Sequence, residues 1–134
     1  MVNKIIQTIG KRKRSIAYAK LKKGKGVIRI NGINLEVYGD IISRMRIKEP
    51  VMLAGDALEP VDVSIKVEGG GFQGQAEAAR LALAKAIIAY TKKDALKTKF
   101  LEYDRRLLVA DKRRTEPQKP NRSAARSVEQ MSKR

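Results

Sequence analysis

The stretch that decides the fold is GGGFQGQAEAARLALAKAIIAY, residues 69–90, and the segment VDVSIKV at residues 61–67 leads into it. Every second residue of the leading segment is apolar, which predicts a half-buried β-strand. Three glycines follow, and glycine tolerates positive φ and close contact with another backbone. Beyond them, apolar residues recur at helical spacing, namely Ala79, Leu83, Ile87 and Tyr90. The sequence therefore predicts a strand, a tight turn and a helix packed closely on a sheet, with Arg80 and Lys85 pointing outward.

Positive charge is concentrated at the two ends of the chain. Of the 134 residues, 30 are Lys or Arg and 14 are Asp or Glu, which gives a net charge of +16. Residues 1–26 carry nine basic groups and no acidic one, and residues 112–134 carry eight basic and two acidic groups, whereas the middle is almost neutral. Basic ends on a near-neutral body indicate a polyanionic partner. We expect one globular RNA-binding body at residues 1–111 and an extended basic tail at residues 112–134.

The composition argues against several classes of function. The chain contains neither Cys nor His. It therefore lacks disulfides, thiolate metal sites and the usual general base near neutral pH, and no spacing of carboxylates singles out a catalytic pair. No apolar run approaches the ~20 residues that span a bilayer, and the first residues lack a signal-peptide pattern. We expect a cytoplasmic protein that is not an enzyme and needs no metal or cofactor.

The amino-terminal part predicts strands separated by basic turns. Apolar residues between 5 and 9 favour a first strand, and the run KRKR at 11–14 is expected to face solvent or phosphate because four like charges resist burial. Alternation at 15–21 and the apolar run at 27–30 predict two further strands. The turn KKGKG at 22–26 joins these two strands, so we expect them to pair as an antiparallel hairpin. Asn31-Gly32 is a strong tight-turn signal.

The rest of the body predicts helices on this sheet. Asp40 is a candidate cap for a helix from residue 41 to about 48, which Pro50 would end. Asp94 is a candidate cap for another helix, and the apolar residues 107–109 favour a last short strand. After Asp111 large apolar residues are scarce and prolines recur, so the tail is expected to be extended when alone. The fold class is α+β, with helices packed on a small sheet.

The aromatic residues give little support for base stacking. The chain holds two Phe and four Tyr, and Tyr18 and Tyr90 are expected in the core because they share the period of their elements. Binding to RNA would then rest on shape and on phosphate contacts. The basic residues expected to make these contacts are Lys11, Arg12, Lys13, Arg14, Lys22, Lys23, Lys25, Arg80, Lys85, Arg105, Arg106, Lys112, Arg113, Arg114, Lys119, Arg122 and Arg126.

The glycines also leave two other hypotheses open. Gly69, Gly71 and Gly74 fit G-x-G-x-x-G between a strand and a helix, and Asp94 lies about 20 residues further on, where a ribose-binding acid would stand. A nucleotide-dependent enzyme is therefore one alternative, although the body offers few strands for a doubly wound sheet. A P-loop fits less well, since Gln75 stands where that motif has Lys. A basic adaptor for an acidic protein partner is the other alternative.

The glycine-rich stretch carries a resemblance to a known family. Its fixed positions are Gly69, Gly70, Gly71, Gly74, Gln75, Ala78, Ala82, Ala84 and Lys85. Together they resemble the signature of the family of the ninth protein of the small ribosomal subunit. The segment TIGKRKRSIA at 8–17 and the basic tail are similar to further parts of that family, so the resemblance covers nearly the whole chain. The segment from 114 to 123 looks like the archaeal form.

The resemblance implies a fold, a location and partners. The fold would be that of the second domain of the fifth small-subunit ribosomal protein, with a left-handed β-α-β crossover. The protein would be a structural constituent of the subunit head, bound to ribosomal RNA and neighbouring ribosomal proteins during translation. Its tail would reach the peptidyl-site transfer RNA through Ser132, Lys133 and Arg134. The family's tail is usually more basic and often aromatic near its end, where this chain has Glu129 and Met131, so the path of the tail stays open.

Overall fold

A computed structural model describes residues 4–131 of the chain. Its strands are β1 (Ile6–Arg12), β2 (Ser15–Lys23), β3 (Ile28–Ile30), β4 (Ile33–Asn34) and β5 (Val61–Glu68), and its helices are α1 (Ile41–Ala54), α2 (Phe72–Thr91) and α3 (Asp94–Tyr103). The five strands form one mixed sheet in the order β1-β2-β5-β3-β4. The predicted α+β class, the central strand at 61–67 and the following helix are all confirmed.

The sheet buries one face and leaves the other open. Inward-facing residues alternate with outward-facing ones along β2 and β5, and α2 packs across β1, β2 and β5. The core lies between this face and the helices, because apolar side chains of both layers are removed from water there. Tyr90 packs against the core as expected. The expectation for Tyr18 is wrong, because its parity in β2 places it on the opposite face, where 38% of it is exposed.

The predicted hairpin between residues 15–21 and 27–30 does not form. β2 pairs with β1 on one side and with β5 on the other, both antiparallel, while β3 pairs with β5 in parallel. The long alternating strand β5 thus stands where β3 was expected, because it offers β2 a longer complementary face. Residues 24–27 instead pass the start of β5 and connect β2 on one side of it to β3 on the other. The backbone N–H of Gly24 donates to the carbonyl of Pro60 at 2.8 Å.

The Asn31-Gly32 turn forms as predicted, between β3 and β4. Both residues have positive φ, at 51° and 80°, as a two-residue hairpin turn requires. Asn31 also ties the turn to β5, since its side chain accepts from the N–H of Val67 and donates to the carbonyl of Val67. The path from β3 to its parallel neighbour β5 then runs through β4 and α1. This is the β-α-β unit for which the resemblance implies a left-handed crossover.

Three boundaries differ from the sequence-based expectations. α1 continues through Pro50 to Ala54 and ends at Gly55, where φ is +58°. Pro50 lacks the N–H for one helical hydrogen bond, but its ring is fully buried, so packing compensates. Asp94 lies in the first turn of α3 and Lys93 occupies the cap position. The expected strand at 107–109 is absent, and a 3₁₀ turn, Arg105–Leu107, instead places Leu107 in the core.

α2 lies unusually close to β1 because small residues meet there. A Cβ on Gly10 would come within 2.6 Å of the backbone nitrogen of Ala82 and would also overlap the carbonyl oxygen of Ala78. Thr8 fixes the same approach, since its Oγ1 donates to the carbonyl of Ala82 at 2.7 Å. Ala78 and Ala82, two alanines of the signature, therefore have a packing role. They allow the helix backbone to touch the strand backbone.

The glycine turn between β5 and α2 is built around Ser15 of β2. Gly69 and Gly70 have φ of +77° and +63°. A Cβ on Gly70 would lie 3.1 Å from the backbone nitrogen of Ser15 and would overlap its hydroxyl group. Ser15 Oγ and Gln75 Nε2 both donate to the carbonyl of Gly69, at 3.0 and 3.1 Å. Gly71 differs, because its φ is −95° and a Cβ there would meet open space.

From residue 112 to residue 131 the structure contains neither helix nor strand. Most side chains of this segment are exposed, and Val128 and Met131 are largely open to solvent. The segment therefore adds little to the core. This agrees with the expected extended tail, although the division at residue 111 stays a prediction.

We predict that Gly10→Ala lowers the free energy of unfolding by about 1–3 kcal/mol, the usual cost of forcing a methyl group into a packed contact. Gly71→Ser is the matched control, because it adds a side chain in open space at a helix cap position that suits Ser. Denaturant unfolding followed by circular dichroism measures both. Equal midpoints for Gly10→Ala and the wild type would show that α2 is not held at this distance.

Candidate nucleic-acid interface

The basic residues of the body divide into a partly buried group and an exposed group. The partly buried group forms an ion-pair network between β1, α1, α2 and the chain after α3. Arg12 Nε lies 2.5 Å from Glu77 and Arg46 lies 3.2 Å from the same carboxylate. Arg80 binds Glu49 and, at 3.0 Å, Asp104. Each bond in this network joins two different elements, so the network fixes how the helices sit around β1.

The expectation that Arg80 points outward is wrong. Its side chain is only 15% exposed, because α1 and the end of α3 both supply carboxylates beside α2. Arg12 is similarly covered at 16%, although its run of four cations was expected to face solvent or phosphate. Both remain predictions as RNA ligands, and RNA could reach them only by displacing an existing ion pair. Burial lets a guanidinium bind two carboxylates with little competition from water.

Asp111 lies directly before the irregular segment 112–131 and makes ion pairs both with the body and with this segment. Its carboxylate lies 2.8 Å from Arg113, 2.8 Å from Arg12 and 3.4 Å from Arg106. The side chain and the backbone N–H of Arg113 are the main causes that hold the pKa of Asp111 well below its ordinary value, with Arg12 adding to them. The side chain is 10% exposed. Arg106 and Arg113, both predicted RNA ligands, therefore also hold the start of this segment in place.

The exposed group includes most of the remaining predicted ligands. Lys11, Lys13, Arg14, Lys22, Lys23, Lys25, Arg105, Lys112 and Arg114 have exposed side chains. Lys13 and Arg14 form the turn between β1 and β2, beside Gly70 and the exposed ring of Phe72. No acidic residue stands in the first turn of α2, so its positive end adds to the potential of these cations. Lys85 is half-buried and donates to the carbonyl of Ile9 at 3.4 Å.

Beyond Arg113, the ion pairs within the described part of the tail are exposed. Glu116 binds Lys119 at 3.2 Å and Arg126 at 2.8 Å, and Arg122 donates to the carbonyl of Ser127. Such pairs contribute little and exchange easily for a phosphate. Ser132, Lys133 and Arg134, the predicted contacts to transfer RNA, lie outside the described residues.

Sequence reasoning missed one group of exposed cations. Lys20, Arg29 and Lys66 lie on the face of the sheet opposite the helices, together with Tyr18. The signal was available, because strand alternation gives Lys20 the same outward parity as Tyr18. What the sequence lacked was the pairing that brings β2, β5 and β3 side by side.

The dinucleotide hypothesis finds no support in the geometry. A doubly wound fold needs a parallel sheet and an acid at the end of a second strand. Here the sheet has one parallel pair, β3 with β5, and α2 is followed by α3, with Asp94 in its first turn. The glycines serve instead to pack the turn on Ser15. Within residues 4–131, no cluster of three acidic, Cys or His side chains is placed to hold a metal ion, and no helix is long and apolar enough to cross a membrane.

Comparison with known proteins identifies the family. A family model described as ribosomal protein S9/S16 matches residues 10–134. The chain belongs to this family. A small ribosomal subunit protein uS9 from Methanococcus maripaludis (strain C5) is 52% identical over 121 residues, which cover 90% of each chain. A protein of the same name from Methanococcus vannielii is 50% identical over 90% of each chain. The resemblance to the archaeal form is confirmed.

Family membership decides between the hypotheses drawn from the sequence. The chain is a structural constituent of the small ribosomal subunit and not an enzyme, which places it in the cytoplasm with the ribosome. The nucleotide-dependent enzyme is therefore rejected, and ribosomal RNA and ribosomal proteins are the partners that the family implies. The individual ligand residues stay predictions.

We predict that Asp111→Asn lowers the melting temperature by several degrees at pH 7. Because the folded pKa of Asp111 is depressed, its carboxylate stabilises the fold above its ordinary pKa of 3.8, and this contribution is lost as pH falls toward the folded value. The difference between variant and wild type should therefore shrink below about pH 4. Thermal melts across pH measure it.

Glu116→Gln is the control for this variant, since Glu116 makes only exposed tail pairs and its loss should change the melting temperature little. A difference between Asp111→Asn and the wild type that stayed constant down to pH 2 would contradict the assigned role of the carboxylate. So would an equal effect of Glu116→Gln.

Proposed function

We propose that the body of this protein binds ribosomal RNA in the head of the small subunit and that the tail reaches the peptidyl-site transfer RNA. One observation carries the proposal. A folded body with a sizeable core is followed by an arm without helix or strand, and most of the described cations of this arm are exposed. An arm of this kind has no role in the core, so its charges act on a partner.

The body contributes affinity through its exposed cations. Every phosphate that a Lys or Arg neutralises releases condensed counterions, which makes the binding strong at low salt and weak at high salt. The basic turns at residues 13–14 and 22–25 project from the sheet, where no helix covers them. The glycine turn supports the first of them, because Ser15 is bound to the carbonyl of Gly69.

The root of the tail gives the arm a defined starting point. Asp111 is held by arginines of β1 and of the 3₁₀ turn, so the chain leaves the body at a fixed place. The arm then continues for 20 described residues without regular structure. Fully extended, an arm of 23 residues reaches roughly 75 Å at about 3.3 Å per residue. This length suits a contact far from the body, as the resemblance to the family implies for the transfer RNA.

We predict that deleting residues 112–134 leaves the body folded but weakens binding to small-subunit ribosomal RNA. If about three tail cations contact phosphate, the log–log slope of affinity against salt should become shallower by about 2–3, at 0.7–0.9 per contact. Circular dichroism and an RNA titration at several salt concentrations measure the two effects.

A full-length variant with Gln in place of Lys112, Arg114, Lys119, Arg122 and Arg126 separates charge from length, and it should bind as weakly as the truncated protein. Loss of secondary structure on truncation would show that the tail is part of the folded body. Unchanged affinity and slope would show that the tail does not bind this RNA.

We predict a smaller and separate effect from deleting Ser132, Lys133 and Arg134 alone. Small subunits should assemble normally, while transfer RNA should dissociate from the peptidyl site a few-fold faster, because two screened charge–phosphate contacts are modest. The measurement is the dissociation rate from reconstituted subunits at low and high salt. Equal rates at low salt would remove the tail from the decoding site.

A further inference from the structure

We infer that the open face of the sheet, opposite the helices, docks on the sugar–phosphate backbone of helical ribosomal RNA through Lys20, Arg29 and Lys66. The inference rests on the proposed function and names the surface of the body that would carry it. None of the three residues belongs to the ligands that the sequence suggested.

Strand register brings these cations together. Lys20 on β2 lies opposite Ser64 on β5, and Ser64 lies beside Arg29 on β3. Since neighbouring strands are about 4.8 Å apart, the backbones of Lys20 and Arg29 are separated by about 10 Å. Lys66 follows Ser64 by two residues on the same face, about 7 Å along β5, and lies opposite Tyr18. Three distant parts of the sequence therefore form one compact patch.

The charge of this patch is not compensated within the described part of the chain. Lys20 and Arg29 make no ion pair there, and Lys66 approaches only Glu68, at 4.0 Å in an exposed pair. The contrast with Arg12 and Arg80 is clear, because each of those guanidinium groups has two carboxylates. Cations within one Debye length, about 10 Å at 0.1 M salt, repel each other unless a polyanion is bound.

A second carboxylate beside the patch, that of Asp62, already has another role. Asp62 Oδ1 accepts hydrogen bonds from the backbone N–H groups of Lys25 at 2.8 Å and Val27 at 3.0 Å. The Val27 and Lys25 N–H groups hold the pKa of Asp62 below its ordinary value, and Lys22 adds to the effect. Asp62 therefore stays charged, but its carboxylate is bound to backbone N–H groups of the loop that precedes β3. Lys20 and Arg29 remain available to a partner.

The form of the surface fits an RNA backbone better than a protein or unpaired bases. Gln7 lies opposite Lys20 and Ser64 lies between Lys20 and Arg29, so neutral hydrogen-bonding groups alternate with cations along one row. Backbone recognition uses both kinds of group. Tyr18 is the one aromatic residue on the described part of this face, which is too few for a stacking platform. Lys is depleted from the buried centres of protein–protein interfaces.

The test compares two double variants of the full chain that each remove two positive charges. Lys20→Ala with Arg29→Ala alters the open face, and Lys93→Ala with Lys97→Ala alters exposed positions around α3, on the helix side of the sheet. Both are titrated with a small-subunit ribosomal RNA transcript at several salt concentrations. The open-face variant should bind on the order of ten-fold more weakly at about 0.1 M salt, with a slope shallower by about 1.4–1.8. The α3 variant should bind as the wild type does.

Each result has a distinct meaning. One outcome is that the wild type binds the transcript while both variants lose affinity equally, and another is that it binds while neither variant loses affinity. In both cases the open face is not the docking surface, and the proposed function stands. If the wild type itself shows no salt-dependent binding, the proposed function fails with it. A second measurement probes the lysines by amine acetylation, and bound transcript should protect Lys20 and Lys66 but not Lys97. Protection found only in whole subunits would mean that a protein covers this face, which overturns the inference.

Discussion

The structure depends on the direct contact between the backbones of β1 and α2. Gly10 on the strand and Ala78 with Ala82 on the helix leave no room for a further methyl group. The short distance lets Thr8 bond to the helix and brings Arg12 to Glu77. Side-chain bonds of this kind have a narrow range of lengths, so raising the helix by even part of a methyl radius would break several of them together. The small residues Gly10, Ala78 and Ala82 therefore fix the position of α2 on β1, and the side-chain bonds between these elements depend on that position.

Three arginines of the body connect its elements, whereas the lysines of the open sheet face do not. The guanidinium groups of Arg12, Arg46 and Arg80 lie between elements, where a planar fork can bind two carboxylates at once. The lysines of β2 and β5 remain in solvent. A buried ion pair is weak evidence for stability, since removing charges from water costs about as much as their attraction returns. Its value here is geometric, because each pair is satisfied in a single arrangement of the helices.

The sequence was informative wherever the signal was local. The strand, the glycine turn and the helix between residues 61 and 91 could be predicted because their periodicity and their φ requirements are properties of adjacent residues. The strand that pairs with β2 could not be predicted. Both β3 and β5 show the alternation of a half-buried strand, and this pattern does not say which of them lies next to β2. The prediction that Pro50 ends α1 rested on the local rule that proline breaks a helix, and burial of the proline ring outweighs that rule here. The direction of Arg80 depends on carboxylates from α1 and Asp104, which no reading of α2 alone could place.

The place of β5 between β2 and β3 has a consequence for synthesis. The sheet cannot close until residues 61–68 have been made, because β2 and β3 touch each other only through that strand. At about 5–20 residues per second, the β1–β2 hairpin waits several seconds on the ribosome with one edge unpaired. Such non-local pairing slows folding and exposes strand edges to aggregation. Lys20, Lys22 and Lys23 keep β2 charged during this interval, and charged side chains on an edge strand disfavour aggregation.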